Sequence, residues 1–219
     1  LKRHLELDNY RVEELSLMRS PSIPADAACL VLAAPQTDLF EEEMHVLRNF
    51  IQKRGGNLLI LADRDSPQTL REFIDSLGVV LGNDVVIDKM SQLFGANYDT
   101  AIITQYEKHP ITRNFNVASF LPTASSLRLE DTIPFSLSGS YLAYSGQGSW
   151  AETNIDMLKD GKASLDKDDR PGPVPVAVVL NKQNEQRGDT SPQDQNGAKV
   201  VIFGDSQFVS NTHLRLSGN

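Results

Sequence analysis

The chain has 219 residues, of which 40% are hydrophobic and 23% charged, a composition typical of a globular domain. Its formal net charge is −8 and it has no lysine- or arginine-rich block, which argues against nucleic acid as a partner. No apolar run approaches the roughly 20 residues that cross a bilayer. No signal peptide is recognisable. The chain starts at Leu1 without a methionine, and residues 1–7 have the pattern of a helix already under way, so we expect a fragment of a longer protein.

Cys29 is the only cysteine, so no internal disulfide can form. It lies in the apolar run 28–32, which is typical of a buried strand. A reactive thiol needs an exposed, electropositive environment, whereas a small core residue fits such a strand. We therefore predict that Cys29 is buried and inert.

The first half of the chain alternates strands and helices with short links. Loose alternation predicts a strand at 10–17, and continuous apolar runs predict strands covered on both faces at 29–34 and 57–62. Strand, helix, strand and helix in this order are typical of right-handed parallel βαβ units. We therefore expect an α/β fold with a mostly parallel, doubly wound sheet.

Two helices are predicted in this half. The first is expected to follow Asp38, whose side chain can cap it with Glu41 three residues on, and to end at Gly55. The second is expected to begin at Pro67, which suits the first helical position, and to end at Gly78. Each helix has an apolar stripe at helical spacing: Phe40, Met44, Leu47 and Ile51 in the first, and Leu70, Phe73, Ile74 and Leu77 in the second.

The second half of the chain has a different pattern of apolar and turn residues. Short β-type runs between turn residues predict an additional mixed-β region, inserted or appended, at about 85–145. Two strong strands are predicted at 174–180 and 199–203. The polar stretch 181–197 between them is predicted to be a mobile loop, because it cannot bury enough apolar surface to offset the entropy of ordering. We assign residues 1–219 to one α/β domain.

No catalytic centre is predicted. A nucleophile elbow needs a Ser or Cys at a sharp strand-to-helix turn, whereas the turn after the Cys29 strand is Ala34-Pro35. Four histidines are scattered along the chain: His4, His45, His109 and His213. None stands at metal-ligand spacing from another. The sequence therefore indicates neither a metal nor a cofactor.

Candidate binding residues lie where the predicted parallel strands end, since open sheets bind ligands beyond the carboxyl ends of their strands. These residues are Asp63 with Arg64, and Asp205 with Ser206. Asp205 and Ser206 are also typical of a plain helix cap, which is the stronger interpretation.

A second candidate is Trp150 with Glu152, because this only tryptophan follows a polar, glycine-rich loop. The tryptophan is either a binding platform or a lid on a small core, and the sequence leaves both open.

Seven short motifs occur in order over nearly the whole chain: Asn-Tyr-Arg-Val (9–12), Ala-Ala-Pro (33–35), Arg-Gly-Gly-Asn-Leu-Leu (54–59), His-Pro-Ile-Thr (109–112), Ser-Trp-Ala-Glu (149–152), Gly-Pro-Val-Pro-Val-Ala (172–177) and Gly-Asp-Ser-Gln-Phe-Val-Ser-Asn (204–211). Together they resemble the GldG-like auxiliary proteins of ABC transport systems, which include the gliding-motility component.

The resemblance implies an inner-membrane protein whose soluble part lies on the periplasmic face, with membrane segments that are absent from this chain. It implies a flavodoxin-like or class I glutamine amidotransferase-like sheet without catalytic residues, in a fold family that includes an intraflagellar-transport protein. The implied partners are the membrane and ATPase subunits of the transporter, and a glycan or peptide ligand. The alternative is an amidotransferase-like hydrolase with an unrecognised active site.

Overall fold

The computed structural model describes residues 1–159, 163–182 and 198–214. The helices are α1 (Lys2–Leu7), α2 (Glu41–Gln52), α3 (Gln68–Asp75) and α4 (Ile155–Lys159). The strands are β1 (Cys29–Ala33), β2 (Asn57–Leu61), β3 (Val79–Leu81), β4 (Val85–Ile87), β5 (Thr100–Tyr106), β6 (Ser119–Pro122), β7 (Leu127–Leu129), β8 (Leu137–Ser145), β9 (Trp150–Glu152), β10 (Arg170–Pro171), β11 (Pro175–Lys182) and β12 (Lys199–Phe203). Two 3₁₀ helices lie at Lys89–Phe94 and Gln207–Val209.

Seven strands form the main sheet, in the order β1-β2-β12-β11-β8-β5-β6. β1, β2 and β12 are parallel, and every later pairing in this order is antiparallel. The predicted α/β class is confirmed, but the sheet is mixed and parallel pairing is limited to three strands. Connectivity explains the difference, because parallel neighbours need a crossover and the longer helices α2 and α3 both precede β3.

The first core lies between one face of the sheet and the helices α2 and α3. The predicted apolar stripes are confirmed, except that Phe40 is 54% exposed. In α3 the side chains of Leu70, Phe73 and Ile74 are fully buried. Burying each of these large side chains contributes roughly 1.5–3 kcal/mol.

The beginning of α2 differs from the prediction. The backbone N–H of Phe40 donates to the Glu43 carboxylate at 3.0 Å. Asp38, which we expected to cap α2, instead accepts hydrogen bonds from the N–H and hydroxyl of Thr69 at 3.3 and 3.0 Å. Thr69 lies in the first turn of α3, so Asp38 connects the two helix beginnings.

The second core covers the opposite face of the sheet with strands. β4, β9 and β10 form a small antiparallel sheet. Val86 and Ala151 from this sheet pack with Leu142, Val176 and Val179 of the main sheet. A doubly wound layer with helices on both faces is therefore not what the described residues form.

The mixed-β region predicted at about 85–145 contains the expected strands β4, β5, β7 and β8, together with the unpredicted β6. β5, β6 and β8 continue the main sheet. Of the polar stretch 181–197, Asn181 and Lys182 belong to β11. The remainder, 183–197, lies outside the described residues.

β1 is the edge strand of the sheet, and two predictions about it are wrong. Cys29 is exposed rather than buried, and Val31 is 42% exposed. Of the β1 residues, Leu30 and Leu32 point toward the helices and pack against the first core. The run is a strand, but α2 and α3 cover one of its faces and the other is open.

The N-terminal segment has little regular structure. Residues 10–17, predicted as a strand, form none, and α1 has no buried residue. The Arg54 guanidinium donates hydrogen bonds of 2.9 to 3.0 Å to the carbonyls of Ile23, Pro24 and Ala25. This arginine therefore holds the segment that leads into β1. Within the described residues, no helix combines the length and the apolar character needed to cross a membrane.

Candidate functional site

The parallel strands β2 and β12 lie side by side, with Leu61 paired to Phe203. The residues that follow them, 63–65 and 204–206, therefore meet at one border of the sheet, which we call the carboxyl edge. Asp63 accepts two hydrogen bonds from Ser206, from its backbone N–H at 2.7 Å and from its hydroxyl at 2.6 Å. The structure thus brings together two of the residues that the sequence singled out.

Asp205 is fully buried at this edge. Its carboxylate accepts hydrogen bonds from the backbone N–H groups of Gln207 and Phe208, at 2.8 and 3.2 Å. Burial raises its pKa to about 8, because the charged form loses its hydration, and the nearby Asp63 adds to the increase. Asp205 is therefore a cap, as the stronger interpretation predicted, although of a 3₁₀ turn.

Gly204 allows two segments to meet beneath the edge. The backbone N–H of Ser125 donates to the Gly204 carbonyl at 2.7 Å, and Gly204 donates to Val176 at 3.0 Å. A Cβ on Gly204 would collide with the backbone oxygen of Ser125. Glycine is required here by the close approach of two chains.

Sequence reasoning missed a second buried acid in this region, Asp84. It accepts hydrogen bonds from the N–H and hydroxyl of Ser126, at 2.8 and 2.6 Å. Burial raises its pKa, while the two hydrogen bonds from Ser126 and, to a smaller extent, the charges of Arg170 and Arg71 act in the opposite direction. From the sequence, Gly-Asn-Asp at 82–84 predicts only an ordinary turn. The hydrogen-bond partner of Asp84, Ser126, lies 42 residues away and could not be identified from the local pattern.

Arg71 was also missed, and it braces the loop after β2. Its guanidinium donates to three carbonyls, those of Arg64, Leu81 and Gly82, at 2.6, 2.8 and 3.0 Å. Five fixed N–H donors make arginine suited to such a role. The backbone position of Arg64 is thereby fixed to the β3 end.

Trp150 and Glu152 are both buried, at 4% and 1% exposure. The indole N–H donates to the Glu152 carboxylate at 3.1 Å, and that carboxylate also accepts the N–H of Asn154 at 2.9 Å. The Trp150 ring packs with Val85 and Ile87 in a small third core. Trp150 is therefore a lid on a small core and offers no ring to a ligand.

An open cleft of about 580 Å³ lies between the loop after β2 and the segment after β9. Its lining residues are polar with one exception: Arg64, Thr153, Asn154, Ile155 and Asp156. Of the six predicted site residues, Arg64 alone lines this cleft. Glu152 supports it from behind through its bond to Asn154.

A serine and a histidine also lie within hydrogen-bond reach of each other near the carboxyl edge. Ser210 Oγ is 3.1 Å from His213 Nδ1, but the same Nδ1 is 3.1 Å from the carbonyl oxygen of Gln207. A carbonyl oxygen only accepts hydrogen bonds, so Nδ1 carries the proton in that contact and cannot take one from Ser210. The contacts are those of a local turn.

The polar groups of the carboxyl edge are thus engaged with one another. Across the described residues, every buried side-chain nitrogen and oxygen atom has a hydrogen-bond partner. The same part of the chain holds no group of three or more metal-ligating side chains. The protein is therefore an α/β domain in which the acids that follow β2 and β12 form hydrogen bonds with loops of the same chain.

Residues 4–218 match the family model of the auxiliary component of an ABC-type uncharacterized transport system. This is nearly the whole chain, so the protein belongs to that family. Comparison with curated proteins gives no match.

Among solved structures, the chain is similar to the mmIFT52 N-terminal domain, with a TM-score of 0.62 and 12% sequence identity. The similarity covers 98% of this chain and 81% of that one. At this identity the likeness shows the fold alone. A ThuA-like protein from Bacteroides uniformis aligns with a TM-score of 0.37 and 13% identity, over 84% of this chain and 64% of that one.

Proposed function

We propose that this protein is a non-catalytic domain of a GldG-like ABC-transporter auxiliary subunit, on the periplasmic face of the inner membrane. Its role is to bind a protein partner, or a glycan or peptide ligand, in a transport or gliding-motility system. Its partners are the membrane and ATPase subunits of the transporter. The family membership supports the transport role.

One observation carries the non-catalytic part of the proposal. Asp63, Asp84 and Asp205 each accept two hydrogen bonds from groups of this chain. A general base must instead reach a proton of the substrate. The three acids therefore hold the 3₁₀ turn and the loop at Ser126 in place.

The cleft beside Arg64 is the proposed binding surface. Arg64 is half-buried and its backbone is fixed by Arg71, so its guanidinium is presented from a rigid loop. Thr153 and Asn154 on the opposite wall are exposed polar side chains. Convergent polar groups on fixed loops are the usual means of orienting a ligand.

Co-purification of the full-length membrane protein with its transporter tests the proposal. Arg64→Glu should reduce recovery of the partner at least tenfold, while Arg113→Glu, an exposed charge reversal in the β5-β6 connection, should leave it unchanged. Equal recovery from both variants would place the binding surface elsewhere. The alternative, an amidotransferase-like hydrolase, predicts instead that the purified chain turns over a substrate in the absence of the transporter.

A further inference from the structure

The cleft beside the loop after β2 contains a cation that the described residues do not neutralise. Three arginines are half-buried in this part of the chain: Arg48, Arg64 and Arg71. Arg48 pairs with Glu41 at 3.3 Å, and Arg71 donates to three carbonyls. The Arg64 guanidinium forms no hydrogen bond, ion pair or ring contact with any described residue. Because it has lost part of its hydration without gaining a partner, a bound anion would stabilise it.

The opposite wall of the cleft is held in place by two buried acids. The backbone N–H groups of Thr153 and Asn154 donate to the carboxylates of Asp169 and Glu152, both at 2.9 Å. Both of these acids are buried. A wall that is already fixed presents its side chains to a ligand with little further loss of conformational entropy.

Asn154 supplies a second donor to the cleft. Its side-chain oxygen accepts the N–H of Met157 at 3.4 Å, which places the NH₂ group on the other branch of the carboxamide. That NH₂ group donates to no described residue. Arg64 and Asn154 therefore line opposite walls of the cleft with N–H donors that lack an acceptor. A carboxylate, with two acceptor oxygens, suits such a pair of donors.

The charges around the cleft favour a singly charged anion. Asp156 lines the same cleft, and the exposed Asp65 follows Arg64 in the chain. The whole chain has a formal net charge of −8. These charges repel a phosphate group, which carries more than one negative charge at neutral pH, more strongly than a carboxylate. The cleft is therefore better suited to a carboxylate than to a phosphate.

We infer that the cleft binds a carboxylate group of a peptide between Arg64 and Asn154. The cleft volume of about 580 Å³ lies in the range of small-ligand sites. None of the five lining residues is aromatic, and Trp150 is buried, so the apolar face of a sugar ring would find no aromatic surface to pack on. The inference deepens the proposed function and rests on its choice of this cleft as the binding surface.

Titration of the chain with short peptides, followed in amide NMR spectra, tests the inference. Acetyl-Gly-Asp-Gly-amide carries a side-chain carboxylate, acetyl-Gly-Gly-Gly carries a terminal one, and acetyl-Gly-Asn-Gly-amide carries neither. At least one carboxylate peptide should shift the Asn154 signals with a Kd on the order of 10 mM or tighter. The asparagine peptide should bind at least tenfold more weakly. The tighter of the two carboxylate peptides identifies the source of the carboxylate.

Arg64→Gln removes the charge of a side chain that has no partner, so the fold should be kept, as unchanged signals away from the cleft would show. Peptide binding should weaken about tenfold. Arg113→Gln, at an exposed arginine in the β5-β6 connection, is the control and should leave the Kd unchanged. Equal affinity of Arg64→Gln and the wild type would overturn the inference. So would tighter binding of inorganic phosphate or of glucuronate than of both carboxylate peptides.

Comparison with the co-purification experiment separates this inference from the proposed function. If the peptides fail to bind while Arg64→Glu still lowers recovery of the partner, the ligand class is wrong and the binding surface stands. If the peptides bind through Arg64 while recovery of the partner is unchanged, the carboxylate site stands and the proposed role of the cleft in the transporter is wrong.

Discussion

β12 and β1 are both short apolar strands that pair in parallel with β2, yet their surroundings differ. Val200 and Ile202 of β12 are fully buried, with α2 and α3 over them and β11 on the other side. On β1, Val31 is 42% exposed and Cys29 is exposed. An apolar run thus predicts a strand, whereas its place in the sheet decides how much of it is buried.

Truncating a buried side chain on β12 and an exposed side chain on β1 should give the largest difference in the free energy of unfolding. Ile202→Ala is expected to cost about 2–5 kcal/mol, because it leaves a cavity in the first core. Val31→Ala should cost less than about 1 kcal/mol, since the side chain is already partly hydrated. Urea denaturation monitored by circular dichroism measures both. Similar costs would show that β1 is covered in solution.

A substitution of Gly204, the residue after β12, should have the second largest effect on stability. Gly204→Ala drives a Cβ into the backbone oxygen of Ser125, and overpacking of this kind typically costs about 1–3 kcal/mol. Gly148→Ala is the control, because no atom lies within 4 Å of the added Cβ. If the two variants unfold at the same urea concentration, the contact between the end of β12 and Ser125 is not maintained.

A substitution of Ala34, the residue after β1, should stabilise the protein rather than destabilise it. Ala34 has a φ of 43°, in the left-handed region that favours glycine. Ala34→Gly should therefore raise the free energy of unfolding, by up to about 1 kcal/mol. The same denaturation assay measures the change. Destabilisation instead would indicate that the Ala34 methyl group packs against a neighbour.

The smallest effect is expected at Cys29. Cys29→Ser should change stability by less than about 0.5 kcal/mol, as usual for exposed positions. Partial burial raises the pKa of the Cys29 thiol, so the native chain should react with a maleimide more slowly than the urea-unfolded chain, yet still without unfolding. Labelling of the native protein only at its rate of unfolding would mean that another surface covers β1.

The sequence alone predicted the elements whose signal is local. The stripes of α2 and α3 follow from the 3.6-residue period, and β2 and β12 follow from apolar runs between turn residues. Asp63, Asp205 and Ser206 could be placed at one edge because parallel strands end on the same side of a sheet. The ordered motifs identified the auxiliary family, which the comparison confirmed.

Only the tertiary structure decided the contacts between distant parts of the chain. Asp84 meets Ser126 across 42 residues, and Asp38 meets Thr69 across 31. The exposure of β1, the burial of Trp150 and the antiparallel half of the sheet likewise depend on which surfaces face one another. Local periodicity determines which side chains share a face, and packing determines what covers that face, because burial depends on neighbours that the local pattern does not specify.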